Sequence, residues 1–373
     1  MIQTFKYKIH PTAEQKDKLS SFFGCARFVY NWGLERKTSE YRVSGKNLTY
    51  IDLAHELTVL KKEKDWLKEC PNVCLQQSLR NLDVAFTSFF RKKTKYPTFK
   101  SKKKSRDSIK FISSVYFDFE NWLVKVPKLD WIKMSKSRTF NKTENKQGTT
   151  TLFKDKCNDY WIVVVIDDLE KKQPKAEILK ETAVGIDLGI KDYITLSDGT
   201  KYTNPKYFNK TQKMLAHWQK TFARTKQGSK RHEKARLQVA KTYRKITNQR
   251  TDFIQKLTTD LVRKYDTICL ESLDIKNMEQ NNNLALAISD ASWGEFVREL
   301  TYKSEHYGKN IVFIGRYEPS SRLCHGCGYI NKDLSLSDRI WVCPICGKVL
   351  DRDINAAINI KRIALEKQNL IGL

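Results

Sequence analysis

Apolar and polar positions follow two different periods along this chain, and the change of period divides it. Residues 1–9 carry apolar Ile2, Phe5, Tyr7 and Ile9 among basic residues and predict a strand. From about 12 to 94 the spacing is helical. Leu19, Phe22, Phe23, Ala26, Val29, Tyr30 and Leu34 form one stripe, and Leu79, Leu82, Ala85, Phe86 and Phe89 another. That pattern predicts a small helical bundle, with Thr12 as the first N-cap and Gln15 three residues on. From about 108 to 168 short alternating runs take over: Ile109–Ile112, Trp122–Val126, Thr150–Phe153 and Tyr160–Ile166. Strand 1–9 joins these runs, which makes the helices an insertion between two parts of one β domain.

From 183 onward the texture is α/β. Val184–Leu196 predicts a strand, a turn and a second strand, and Asp198-Gly199 is a hairpin signal into Lys201-Tyr-Thr. About 206–264 is helical, with Leu237, Ala240, Tyr243, Ile246, Phe253, Leu257 and Leu261 as its apolar stripe. Thr267–Leu270 and Ile311–Ile314 are short buried strands on either side of a helix at 291–307. A helix at 353–367 closes the chain, and Lys171–Lys175 is the linker.

Charge narrows the function. The chain has 373 residues, with 69 Lys+Arg against 42 Asp+Glu, a formal net charge of +27. Such an excess strains a compact fold unless a polyanion binds, and nucleic acid is the first expectation. No apolar run approaches the ~20 residues of a membrane span. The N-terminus has no apolar core of a secretion signal. A cytoplasmic protein is expected, nucleoid-associated in a prokaryote, with no membrane partner. Nine cysteines, four of them clustered, fit a reducing compartment with one metal site.

That cluster is Cys324-His-Gly-Cys327, fifteen residues, then Cys343-Pro-Ile-Cys346. Two Cys-x-x-Cys knuckles at this spacing predict one structural Zn²⁺, because four thiolates leave no open position for water. His325 lies inside a knuckle and reads as a surface or nucleic-acid residue rather than a ligand. A second constellation is acidic: Asp187 in an apolar strand, Glu271 at the end of another, and Asp351 and Asp353 before the last helix. Such carboxylates would repel one another if they converged, unless hard divalent cations joined them; Mg²⁺ fits best. Taken singly, Asp187 also fits a turn and Asp353 a helix N-cap.

Between Asn209 and Arg250 stand thirteen Lys/Arg and one Glu. Charge of one sign suggests a phosphate track, with Lys230, Arg231, Lys234, Arg236, Lys241, Arg244 and Lys245 as its contacts. Trp218, Phe222 and Tyr243 read as core. The segment 91–106 has nine basic residues and no acidic one. It adds Lys100, Lys102, Lys103 and Lys104 as candidate contacts, with Tyr96, Pro97 and Phe99 fixing the loop.

Six ordered blocks carry a resemblance: Gly185–Ile190, Ser289–Phe296, Pro319–Gly328, Leu334–Arg339, Trp341–Gly347 and Asp351–Ile360. They resemble the TnpB family, RNA-guided nucleases of insertion sequences related to type V CRISPR effectors. The likeness is dense over 183–360 and looser over 1–180, where Phe22–Trp32 and Tyr96–Lys100 carry it. It implies a multidomain α+β chain. A β-barrel wedge domain (1–10 and 107–175) would be split by a helical recognition domain (11–106). An RNase H-like (RuvC) α/β nuclease domain (180–373) would carry an inserted four-cysteine zinc ribbon (318–350). The family's catalytic and Mg²⁺-binding acids fall on Asp187, Glu271 and Asp353; two Mg²⁺ ions, or Mn²⁺, are implied.

The implied partners are a guide RNA and target double-stranded DNA, with a monomer on its RNA as the expected assembly. The implied activity is RNA-guided, metal-dependent DNA hydrolysis. Leu350 stands where many members have His, and the basic tail after Asp353 is short. A guide-directed DNA-binding regulator, a DNA transposase and a protein-only junction resolvase are the competing readings.

Overall fold

The computed structural model describes residues 2–103, 105–112, 114–140, 145–168, 173–280, 284–316, 318–335 and 338–368. Lys104 and part of the Lys171–Lys175 linker lie outside these. The chain divides into two compact units, Met1–Lys171 and Lys172–Leu373. Among the described residues no helix is long and apolar enough to cross a membrane.

The first unit begins with β1 (Ile2–His10), followed by helices α1 (Ala13–Ser44), α2 (Tyr50–Glu63) and α3 (Asn72–Phe90). Thr12 and Gln15 form the capping box that starts α1. Strands β2 (Ser108–Phe111), β3 (Tyr116–Asp118), β4 (Leu123–Val126), β5 (Asp130–Met134), β6 (Asn145–Lys154) and β7 (Tyr160–Asp168) complete it. The sheet order is β2-β6-β7-β1-β5-β4-β3. β1 pairs antiparallel with β7 from Ile2↔Asp167 to Ile9↔Tyr160, then reaches β5 at Ile9↔Met134. Period-two alternation turns Phe5, Tyr7 and Ile9 inward, where they join the buried stripe of α1 in one core. Strands β3 and β5 were not among the runs expected from sequence. β3 is only three residues long, and β5, although five, buries only Ile132 and Met134.

The second unit holds β8 (Ala183–Leu188), β9 (Asp192–Leu196), β10 (Lys201–Thr203), α4 (Tyr207–Arg224) and α5 (Lys230–Lys264). It continues with β11 (Thr267–Glu271), α6 (Ile275–Met278), α7 (Ala285–Ala291), α8 (Trp293–His306) and β12 (Asn310–Ile314). Hairpin strands β13 (Ile340–Val342) and β14 (Val349–Asp351) precede α9 (Arg352–Glu366). The main sheet runs β10-β9-β8-β11-β12; β8, β11 and β12 are parallel, β9 and β10 antiparallel. Ile254, Leu257 and Leu261 of α5 and Phe296 and Leu300 of α8 pack in the core with β8 and β11. Ile360 and Ala364 of α9 pack with Cys269, Val312 and Ile314.

Burial of β8 on both faces matches its central place. Gly185 lets α9 lie on it: a Cβ at that position would stand 2.0 Å from the Ala357 carbonyl oxygen and 2.7 Å from the Lys361 nitrogen. Ala356 and Ala357 are buried at the same contact.

Candidate metal centres

Asp187 is the fifth residue of β8 and Glu271 the last of β11, in parallel strands whose register pairs Leu270 with Ile186. Asp353 stands in the first turn of α9, which the Gly185 contact seats on β8. Asp187 keeps some surface open but is ringed by protein. That desolvation, then the carboxylates of Asp353 and Glu271, push it up to about 8 against the opposing pull of Arg352 and Arg339. Burial also raises Glu271. The fold thus brings Asp353 and Glu271 near enough to oppose the ionisation of Asp187. All donors are carboxylate oxygens, the set that hard divalent cations take.

The two aspartates at the head of α9 have different tasks. Asp351 is the N-cap: its carboxylate accepts the N–H groups of Asp353 and Ile354, each at 3.0 Å, and the Lys201 ammonium at 2.7 Å. Asp353 is therefore not the cap. Its carboxylate faces the Arg339 guanidinium at 3.4 Å. Asp187 is a strand residue, not a turn residue.

The Sγ atoms of Cys324, Cys327, Cys343 and Cys346 all lie within 4.8 Å of one another. Cys324–Cys346 is 3.7 Å and Cys327–Cys343 3.4 Å. Four sulfurs at about 2.3 Å from a tetrahedral zinc would stand roughly 3.8 Å apart, so the cluster fits that ion. The two knuckles share one backbone pattern. The Cys324 N–H donates to the Tyr329 carbonyl and that of Cys343 to Lys348, while Gly328 and Gly347 donate back to the carbonyls of Cys324 and Cys343. Both glycines sit at positive φ, 77° and 72°, which explains their place. Leu334, Trp341 and Leu350 close a small core beneath the thiols.

Two buried asparagines lace these knuckles to α9. Asn355 Nδ2 donates to the carbonyls of Ser321 (3.2 Å) and Leu323 (2.7 Å), and its Oδ1 accepts the His325 N–H at 3.0 Å. With both Nδ2 protons given to carbonyls, Oδ1 must also accept from His325 Nδ1, 3.0 Å away. One turn on, Asn359 Nδ2 donates to the carbonyls of Ser320 and Leu323. His325 is thus turned back onto the protein and half-buried rather than standing free on the surface. Asn355 and Asn359 escaped the sequence reading. Their signal was two amides four apart on the apolar face of a helix beside Ala356, Ala357 and Ile360.

The basic candidates separate by environment. On α5, Lys230, Arg231, Lys234, Lys241 and Lys245 are exposed, whereas Arg236 and Arg244 are half-buried. Arg236 pairs with Glu233 at 2.8 Å. Tyr243 is 45% exposed and its hydroxyl accepts from Gln219, so it is not core; Trp218 and Phe222 are half-buried. In the first unit Lys102 and Lys103 are exposed, but Lys100 is half-buried, its ammonium 3.7 Å from the Tyr30 ring centroid.

This combination defines a class first: a multidomain α/β chain with acids on two strands of its main sheet and at the start of its last helix, and a four-cysteine knuckle pair laced to that helix. A family model described as a probable transposase matches residues 164–282, one described as a Cas12f1-like TNB domain matches 293–360, and one described as a helix-turn-helix domain matches 1–46. That last stretch is here one strand and one 32-residue helix. A Streptomyces pristinaespiralis protein is 39% identical over 96% of this chain and 88% of its own length. InsQ of Escherichia coli K12 is 30% identical over 96% of this chain and 91% of its own. Both carry the name RNA-guided DNA endonuclease, given provisionally. The fold is shared with Cas12f1 in the cryo-EM structure of its complex with sgRNA and target DNA. That match has a TM-score of 0.57 and 14% identity, and covers 97% of this chain and 98% of that one. The chain belongs to the TnpB family.

Proposed function

We propose that the chain is an RNA-guided DNA endonuclease whose hydrolytic site is formed by Asp187, Glu271 and Asp353. The observation that carries this is the convergence of Glu271 and Asp353 on the desolvated Asp187 carboxyl. The names of the two relatives and the excess of positive charge support it. In this reading residues 180–373 are a RuvC-like, RNase H-like nuclease domain with a zinc ribbon at 318–350. The split sheet (1–10, 107–175) is a β-barrel wedge domain, and 11–106 a recognition domain. Guide RNA and target duplex are the partners, and pairing between them supplies sequence choice.

Asp187, Glu271 and Asp353 would hold two Mg²⁺ ions, or Mn²⁺, which when bound supply Lewis acidity and charge neutralisation at the scissile phosphate. The chain's own part is positional. Gly185 seats α9, Asp351 and Lys201 fix its first turn, and Arg339 restrains Asp353. Zn²⁺ belongs to Cys324, Cys327, Cys343 and Cys346 as a structural ion. The lysines and arginines of α5 would follow the phosphate backbone.

The description of one matching family as a probable transposase favours strand transfer as the second reading. The deciding experiment is to purify the protein from its native locus, sequence the RNA that accompanies it, and supply a matched target in Mg²⁺. Cleavage to 5′-phosphate ends, lost in Asp187→Ala, supports hydrolysis. Joined strands would support transfer, and binding without scission a regulator.

A further inference from the structure

The basic loop between α3 and β2 is pinned at three places. The Tyr96 hydroxyl is 3.1 Å from Thr38 Oγ1 of α1, and its ring stands edge-on to Phe86 and Phe89 of α3. Asn31 of α1 clamps Lys100 twice, donating to its carbonyl at 2.9 Å and accepting its N–H at 2.8 Å. The Arg106 guanidinium lies on the Phe153 ring, 3.4 Å from the centroid. These pins shape a cleft of about 40 Å³ whose lining includes Arg27, Lys100, Arg106, Lys110, Ser78 and Ser105. Its volume suits a few waters or one phosphate-sized group.

The cleft has cations but no carboxylate in its lining. Arg27 is neutralised by Asp107 at 2.9 Å. Among the described residues Lys110 has only the Asn81 amide oxygen, at 3.1 Å, and Lys100 only the Tyr30 ring. Among the described residues neither lysine forms an ion pair. Burial, then Lys110 and Arg27, hold the Lys100 ammonium below its usual range. Ser105 Oγ accepts the Ser101 N–H at 3.1 Å, which leaves its own proton to donate. A fold that clamps a backbone to hold like charges together carries a cost that an entering anion removes.

We propose that this cleft holds one phosphodiester group of a nucleic-acid backbone. Lys100 and Lys110 are its principal donors, supported by Arg106 and Ser105. The inference deepens the nucleic-acid reading but depends on it only for where the phosphate comes from. It also separates Lys100 from Lys102 and Lys103, exposed on the same loop, and brings in Lys110, which lies beyond the basic run.

The test compares the unchanged protein, the double variant Lys100→Gln/Lys110→Gln and the control Lys102→Gln/Lys103→Gln. Melting is followed in sodium phosphate and in sodium chloride at equal ionic strength. Phosphate should stabilise the unchanged protein and the control, and not the cleft variant. In chloride the cleft variant should melt at or above the unchanged protein, since it loses repulsion; a lower value would mark the lysines as structural and overturn the proposal. Binding of a labelled RNA hairpin and of a labelled DNA duplex is then titrated against salt. On one polymer the cleft variant should lose about tenfold or more in affinity. Its log–log salt slope there should fall by about 1 beyond the control. The polymer affected identifies the source of the phosphate. Equal behaviour of cleft variant and control on both polymers overturns the proposal, whatever phosphate does to the melting. None of these readouts depends on cleavage.

Discussion

The two candidate metal centres of the second unit are built in opposite ways. The thiol cluster is made by a short run of chain, 324–346, in which each knuckle ties its own backbone and contributes one buried and one exposed cysteine. The acid cluster gathers Asp187, Glu271 and Asp353 from two strands and a helix that meet only in the finished fold. One carries its geometry in local hydrogen bonds. The other holds like charges together by packing, and its helix is laced through Asn355 and Asn359 to the first. The carboxylate site therefore leans on the thiol site, while the knuckles' own bonds are independent of the acids.

The largest effect expected from this contrast is at Asp187. Asp187→Asn should lower cleavage by at least about 10²–10³-fold, the scale of one lost preorganised electrostatic group. Metal-free and above about pH 8, where Asp187 would carry its charge, the variant should be no less stable, since a repelling charge is gone. Mg²⁺ should raise the melting temperature of the unchanged protein and leave that of the variant in place. A variant destabilised without metal would mean the acids do not repel.

Gly185→Ala comes next. The added methyl collides with the backbone of α9, so chemical denaturation should show a loss of about 3 kcal/mol or more. Zinc measured by elemental analysis should stay near one ion per chain. Retained stability would show that α9 can slide, and the seat of Asp353 with it.

Asn355→Ala should cost about 1–3 kcal/mol, because it strands the His325 N–H and the Ser321 carbonyl, while the Leu323 carbonyl keeps Asn359. Cleavage should fall by about 10–100-fold, as when an outer support of a metal site is lost. Full activity with zinc removed by a chelator would contradict the dependence of one centre on the other. The smallest change is Asp351→Ala, about 1 kcal/mol for a lost cap, with cleavage reduced less than by any change at Asp353.

The same contrast explains what was readable beforehand. The knuckles announce themselves by spacing because their geometry is local. Asp187 was visible as a charge in an apolar strand, and the split of the first sheet followed from periodicity. Which of Asp351 and Asp353 caps the helix was not readable, because two aspartates in an N-terminal turn have the same composition signal; only the backbone decides. Lys100 looked like its neighbours in a basic run, yet Asn31, sixty-nine positions away, turns it inward. Arg236 also looked like its neighbours, and only the structure shows Glu233 of its own helix beside it.

Strand β1 also sets a timetable. Its partner β7 is translated about 150 residues later, on the order of ten seconds at roughly 5–20 residues per second. During that wait α1, α2 and α3 are complete and can bury the stripe from Leu19 to Leu34 against Leu75, Leu79 and Leu82. The helical insertion can thus begin to form before the sheet closes, with β1 tethered to its first helix by two residues. The sheet closes last, when Tyr160–Asp167 arrives to pair with Ile2–Ile9. Shifting β1 to follow β7 by circular permutation would remove the delay without altering a single ladder bond, and folding on the ribosome should then become faster than in the native order.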